Sequence, residues 1–375
     1  MPSFQYRLPI RNDLTRLQRL AIDDDNSIFV TGVPGSGKTV VAIYRVARLN
    51  NDSKLFTYTR MLTVAIKGAV NNNLREASNK VTSIYEWFAI NCNVRLGEII
   101  NSEEQISVIL KNNNISFTEL LFDEAQDLPI TLYASLSKVC DRISIGADDA
   151  QQVFRNGCTE KELLQIFNRH SHHELDENHR NTYEIFNFAR HFIPENERAQ
   201  NPNWLGRLES KRRGDKPSII LYSQRTVIIE TIRQIINDNI GGNIGVLLLH
   251  SNDVDTYFNL INPGIHPDCC YYHNRMPRAA RTSVENDLKN ILVTTFKSAK
   301  GMEFDTVIMP ELQMIDVEYK QQFFVGCTRA RANLFLFCQG EIPNIIDTAY
   351  FNNTYLLQDF RREERDDPEE EDLPF

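Results

Sequence analysis

The chain has 375 residues, 42% of them hydrophobic and 24% charged, with a formal net charge of −9. No apolar run approaches the ~18 residues of a membrane span and no signal-peptide pattern opens the chain, so a cytoplasmic protein of two ordinary domains with no membrane partner is expected. Residues 361–375 alone carry −5, which leaves the other 360 near balance; the net charge therefore does not exclude a strand held in a locally basic groove.

The first predicted strand covers residues 28–31. Gly32-Val33-Pro34-Gly35-Ser36-Gly37-Lys38-Thr39 follows and fits G-x-x-x-x-G-K-[ST], and residues 40–49 continue in helical period. A glycine-rich turn between strand and helix lets backbone N–H groups close around phosphate oxygens. The helix N-terminus adds partial positive charge, Lys38 reaches the terminal phosphates, and Thr39 offers a hydroxyl to Mg²⁺. Further strands are predicted at 55–59, 120–123 and 143–145. The second of these ends in Asp123-Glu124, at the edge where an α/β sheet places ligands. There Asp123 is expected to hold Mg²⁺ through water, and Glu124 to orient or deprotonate the attacking water. A second set of strands is predicted at 218–222, 245–249, 291–295, 306–309 and 333–337. Strands alternating with helices give an α/β chain of two parallel sheets, divided near Arg180. His170, His172 and His173 read as a solvated loop rather than a metal site. Seven scattered cysteines without a C-x-x-C pair read as reduced thiols, with Cys269-Cys270 in a strand.

Further segments surround the two phosphate-site motifs. Leu14-Thr15-Arg16-Leu17-Gln18, Phe56-Thr57-Tyr58-Thr59-Arg60 and Thr82-Ser83-Ile84-Tyr85-Glu86-Trp87 precede or flank Asp123-Glu124-Ala125-Gln126-Asp127. After it come Ala147-Asp148-Asp149-Ala150-Gln151-Gln152-Val153-Phe154, Leu175-Asp176-Glu177-Asn178-His179-Arg180-Asn181, Thr295-Phe296-Lys297-Ser298-Ala299-Lys300-Gly301-Met302-Glu303-Phe304 and Phe324-Val325-Gly326-Cys327-Thr328-Arg329-Ala330-Arg331. In this order, from about residue 14 to residue 335, the segments resemble the motifs of a superfamily 1 helicase of the UvrD/Rep/PcrA type. The resemblance implies two RecA-like domains, 1–180 and 181–358, with ATP and Mg²⁺ in the cleft between them. It implies that Gln18 reads the adenine edge, that His179 and Glu303 join the nucleotide set, and that Gln151 senses the γ-phosphate. Arg180 and Arg329 would be the arginine fingers, since planar guanidinium forks neutralise a transferring phosphoryl group. Tyr58, Thr59, Arg60, Trp87, Phe154 and Lys297 are the implied grips on single-stranded DNA, moved 3′-to-5′.

Departures from the resemblance carry expectations too. Short intervals before Asp123 and between Asn181 and Thr295 leave little room for accessory subdomains, so a bare motor with weak strand separation is expected. Val40 stands where the family has an adenine-stacking arginine, His179 where it has a tyrosine, and Asn156 where a tryptophan is common. From residue 359 a disordered acidic tail is expected. It ends in Leu373-Pro374-Phe375 and resembles the tip of bacterial single-strand-binding proteins, an apolar plug for a basic-rimmed pocket on a protein partner. No nuclease constellation is visible, so a nuclease would be a separate chain. The leading expectation is an ATP-dependent DNA translocase or helicase, with a partner-regulating ATPase subunit of a repair or defence complex as the alternative.

Overall fold

A computed structural model describes residues 3–152, 157–167, 170–193, 212–264, 268–346 and 353–361, the side chains of 71–73 and 264 excepted. The first sheet contains β1 (Ile28–Gly32), β2 (Lys54–Thr57), β3 (Val81–Ser83), β4 (Phe117–Phe122), β5 (Cys140–Gly146) and β6 (Ser171–Leu175), in the order β3-β2-β4-β5-β1-β6. The second contains β7 (Ser218–Tyr222), β8 (Ile244–Leu248), β9 (Cys269–Tyr272), β10 (Ile291–Thr295), β11 (Phe304–Met309), β12 (Ala330–Gln339) and β13 (Leu356–Asp359), in the order β13-β7-β12-β11-β8-β10-β9. The strand pairs of both sheets are parallel. These are two RecA-like α/β sheets, the fold class expected.

Side-chain alternation divides each sheet between two apolar layers. Leu120 and Phe122 face Trp87, Phe88 and Tyr133, while Leu121 between them faces Ile43, Val46 and Ile66. In the second sheet Ile219 and Leu221 point to one layer and Ile220 and Tyr222 to the other. Every residue of β1, β7, β8 and β10 is buried, which is why their apolar runs are continuous. Within the described residues, no helix is long and apolar enough to cross a membrane.

The apolar runs do not announce β3, β6 or β13. β6 and β13 are edge strands with polar or exposed residues, so backbone pairing on one side, not apolar burial, makes them strands. This corrects the histidine reading. His172 and His173 lie on β6, with Nε2 atoms 2.8 Å from Thr31 Oγ1 and 3.0 Å from Asp24 Oδ2. The ring nitrogens of His170 lie 2.6 and 2.7 Å from the carbonyls of Phe167 and Ile143. The second strand also stops early, at Thr57, because Thr59 turns out to cap helix α3 (Arg60–Asn73) by accepting from Leu62 N. Cys269 and Cys270 do lie on a strand, β9. Residues 359–361, expected in the tail, are held: Asp359 pairs with Leu221 on β7, and Arg361 Nη2 is 2.5 Å from Asp359.

One buried ion pair locks the phosphate loop to the acidic strand. Helix α2 (Lys38–Arg48) carries Arg45, 1% exposed, whose Nε lies 2.6 Å from Glu119 Oε1 on β4. Its other nitrogens donate to the carbonyls of Ala21, Asp24 and Asn26, and Glu119 also accepts from Ser144 and Arg142. Arg45→Met takes the nearer of two cations from the buried Glu119 carboxylate, leaving Arg142 at 3.0 Å as its remaining charged partner, and is expected to cost about 3 kcal/mol in urea unfolding. The double change Arg45→Met/Glu119→Leu is expected to recover most of that loss.

The N-terminal residues cross between the sheets. Ser3 bridges Lys289, Phe4 N donates to Leu288 O at 3.0 Å, and Gln5 exchanges two hydrogen bonds with Asn243. Arg7 pairs with Asp305 at 2.9 Å, and Pro9 O then accepts from Tyr44 on the first domain.

Candidate active site

β1 ends at Gly32, and the following loop turns back through Gly35 and Gly37, at φ +78° and +95°. A Cβ at Gly37 would collide with Gln18 Nε2, and one at Gly35 would sit 2.7 Å from Arg180 Cβ, so the close approaches require glycine. α2 starts at Lys38, and its first-turn N–H groups open into the loop. Lys38 Nζ donates to Gly32 O at 2.5 Å and pairs with Asp148 Oδ2 at 3.1 Å. Thr39 Oγ1 donates to Asp123 Oδ2 at 2.8 Å. Ser36 is 2% exposed, and its hydroxyl has no hydrogen-bond partner among the described residues.

These groups fit a nucleoside triphosphate with Mg²⁺. The orphaned Ser36 hydroxyl, the Lys38 ammonium and the helix N–H groups suit phosphate oxygens. Thr39 and Asp123 put a hydroxyl and a carboxylate side by side, the hard oxygen donors that Mg²⁺ takes.

Asp123 directly follows β4, and Glu124 turns the chain at φ 57°, ψ 47°. The two acids have opposite electrostatics. Burial, and then the neighbouring Glu124 charge, push Asp123 up. Burial would raise Glu124 as well, but Lys300, Lys38 and Arg329 together hold it below the ordinary carboxylate range. Glu124 accepts from Gln126 Nε2 at 2.6 Å.

Cations from the second sheet reach across to these acids. The turn after β10 carries Lys300, 1% exposed, whose ammonium lies 2.6 Å from Asp127 and 3.6 Å from Glu124 and donates to Gln151 O at 2.6 Å. Arg329, at the start of β12, is fully buried and donates to Gln151 Oε1 at 2.5 Å, while Gln151 Nε2 donates to Asp148. Burial and then Arg180 push Arg329 down to about 9, which leaves it charged at neutral pH. Arg180 pairs with Glu303 at 3.2 Å, and Glu303 also pairs with Arg331 at 2.9 Å. His179 N donates to Gly35 O, and Asn181 Nδ2 anchors to the Thr328 and Ala330 carbonyls. Lys38, Thr39, Glu124, Gln151, His179, Arg180 and Glu303 line one cleft of about 300 Å³ with Gln18 and Val40. Arg329 lies behind Gln151 rather than on that lining.

A second cleft, of about 270 Å³, lies on another side of the same interface. Tyr58, Thr59 and Arg60 line it with Tyr85 on the first-sheet side; Tyr272, Arg281, Lys297 and Ser298 line it on the second. The Tyr58 and Tyr85 rings meet edge to face, centroids 5.7 Å apart. Trp87 is a correction. At 6% exposure it is packed against Phe56, Phe88 and Phe117, and it belongs to the core rather than to a stacking platform. Phe154, Leu373, Pro374 and Phe375 lie outside the described residues.

Sequence reasoning gave no role to Lys300, Asp148, Tyr85 or Arg281. Lys300 stands three residues after Lys297, and nothing in the sequence says which lysine turns inward.

The family described as the Schlafen group 3 DNA/RNA helicase domain matches residues 25–209, just under half of the chain. Residues 25–209 are thus similar to a helicase domain. Over 84 residues the chain is 29% identical to the RecBCD enzyme subunit RecB of Chlamydia pneumoniae, covering 21% of this chain and 8% of that protein. Among solved structures, the C-terminal domain of a possible DNA helicase from Lactobacillus plantarum WCFS1 shares 17% identity at a TM-score of 0.37, over 48% of this chain and 97% of its own. The PRRSV helicase shares 14% at a TM-score of 0.42, over 86% of this chain and 54% of its own.

Proposed function

We propose that this chain is an ATP-driven translocase on single-stranded DNA, of the UvrD-like superfamily 1 type and moving 3′-to-5′. The observation that carries the reading is one turn. Lys297 lines the groove, and Lys300, on the same turn after β10, grips Glu124, Asp127 and Gln151 O beside the nucleotide cleft. A strand that moves Lys297 therefore moves the cation that holds the candidate base.

Ser36, Lys38 and the first turn of α2 hold the phosphates, and Thr39 and Asp123 hold the metal. Bound Mg²⁺ neutralises charge on the phosphate oxygens. Glu124, kept ionised, takes a proton from the attacking water once Lys300 withdraws. Gln151, tethered between Asp148 and Arg329, carries the state of the phosphates to the second sheet, and Arg180 and Arg329 offset developing charge. Closure is worth only the difference in affinity between the open and closed states, so loss of the terminal phosphate lets the sheets reopen. In the groove, tyrosine faces supply ~1–3 kcal/mol of stacking per base without reading sequence.

The test is ATP hydrolysis with and without oligo-dT. DNA is expected to stimulate the wild type strongly. Lys297→Ala/Arg281→Ala should abolish the stimulation and leave basal hydrolysis in place. Hydrolysis indifferent to DNA in the wild type would transfer the reading to a partner-gated ATPase. Displacement of streptavidin from the 5′ end only would support 3′-to-5′ movement; displacement from the 3′ end would reverse it. The docking of Leu373-Pro374-Phe375 on a protein partner is proposed from sequence, and unchanged partner binding after their removal would refute it.

A further inference from the structure

The nucleotide cleft is unevenly furnished. Ser36, Lys38 and Thr39 make one end polar. Its apolar side chains are Tyr6, Leu8, Pro9 and Val40, three of which come from the N-terminal segment that straps one sheet to the other. Tyr6 is 9% exposed and lines the cleft, with its hydroxyl hydrogen-bonded to Thr39.

Gln18, the residue a resemblance would assign to the base edge, is already engaged. Its Oε1 accepts from Thr15 N at 2.9 Å, closing the capping box of helix α1 (Arg16–Asp23), and its Nε2 donates to Ser36 O at 2.9 Å. At 5% exposure it braces the phosphate loop from behind.

We propose that the strap, residues 6–9, is the base-binding wall of this cleft and holds a purine by its face, so that the chain accepts adenine and guanine nucleoside triphosphates nearly alike. The inference rests on the nucleotide reading above and adds which part of the ligand the strap recognises. An apolar face gives affinity without distinguishing an amino from an oxo substituent; discrimination needs edge groups that are free to pair. Val40 supplies the opposing apolar surface. The strap is pinned to the second sheet through Asn243, Leu288, Lys289 and Asp305.

The test is competition of ATP, GTP and inorganic tripolyphosphate against a fluorescent ADP in Mg²⁺, on the full chain. The wild type is expected to bind ATP and GTP within about tenfold of each other, and both far more tightly than tripolyphosphate. Leu8→Ala should lose about fivefold or more for both nucleotides, the loss of one apolar contact, and keep its tripolyphosphate affinity. Retained tripolyphosphate binding shows that the variant is folded. If that variant loses all three ligands, Asn243→Ala decides, because it loosens the strap without touching the cleft and should weaken nucleotides selectively. Unchanged nucleotide binding in the strap variants, or a hundredfold preference of the wild type for ATP over GTP, would overturn the proposal. A wild type that binds tripolyphosphate as tightly as ATP would also overturn it while sparing the phosphate site. A wild type that binds none of the three would remove the nucleotide reading itself.

Discussion

Glu124→Gln is expected to lower ATP turnover by about 10²–10⁴-fold while nucleotide binding is kept. The amide matches the carboxylate in shape but cannot take a proton from water. Structural disturbance should be small, because Lys300 retains Asp127 at 2.6 Å and Gln151 O at 2.6 Å when Glu124 loses its charge. The join between the sheets therefore survives. Single-turnover phosphate release beside equilibrium nucleotide binding separates the outcomes. A fall in release with binding intact supports a general base. An equal fall in both would make Glu124 a binding residue, and the water would need another base.

The second large effect is expected at Arg329. Arg329→Lys should reduce hydrolysis by about 10³–10⁵-fold, the range of an arginine finger, with ground-state binding much less affected. The charge is preserved, so the loss would come from geometry. The guanidinium donates at once to Val325 O, Gln151 Oε1 and Thr328 Oγ1, all in a fully buried position. A lysine ammonium on a flexible stem cannot serve the same fork. Because Gln151 is tethered on its other side by Asp148, its side chain would be left held at one end. Thermal unfolding should accompany the kinetics. A variant that melts like wild type and hydrolyses as fast would show that Arg329 is a structural cation only.

Legibility in the sequence followed the range of the interactions. The phosphate loop could be read because its geometry is local: a strand, glycines at positive φ, and a helix, all within residues 28–48. Continuous apolar strands could be read for the same reason, since burial on both faces leaves its mark on each residue. Edge strands leave no such mark. The Ser-His-His-Glu-Leu of β6 becomes a strand only because β1 lies beside it. Trp87 was ambiguous because an aromatic in a motif can serve a ligand or a core, and its neighbours Phe56 and Phe117 decided for the core. Lys297 and Lys300 share one turn and one chemistry, and only the packing of that turn sends one into the groove and the other onto the acids. The strap was the least visible, because Gln5 and Asn243 stand 238 positions apart.

That separation orders events during synthesis. A ribosome releases the first sheet, with its phosphate loop, before Asn243, Leu288 and Asp305 have been made, and domains tend to fold as they emerge. The strap then has no anchor on the second sheet. A chain interrupted anywhere before residue 243 can carry a complete phosphate loop and still lack the wall above it. The cleft is closed only after the second sheet has been made, although residues 6–9 precede the first sheet in the chain.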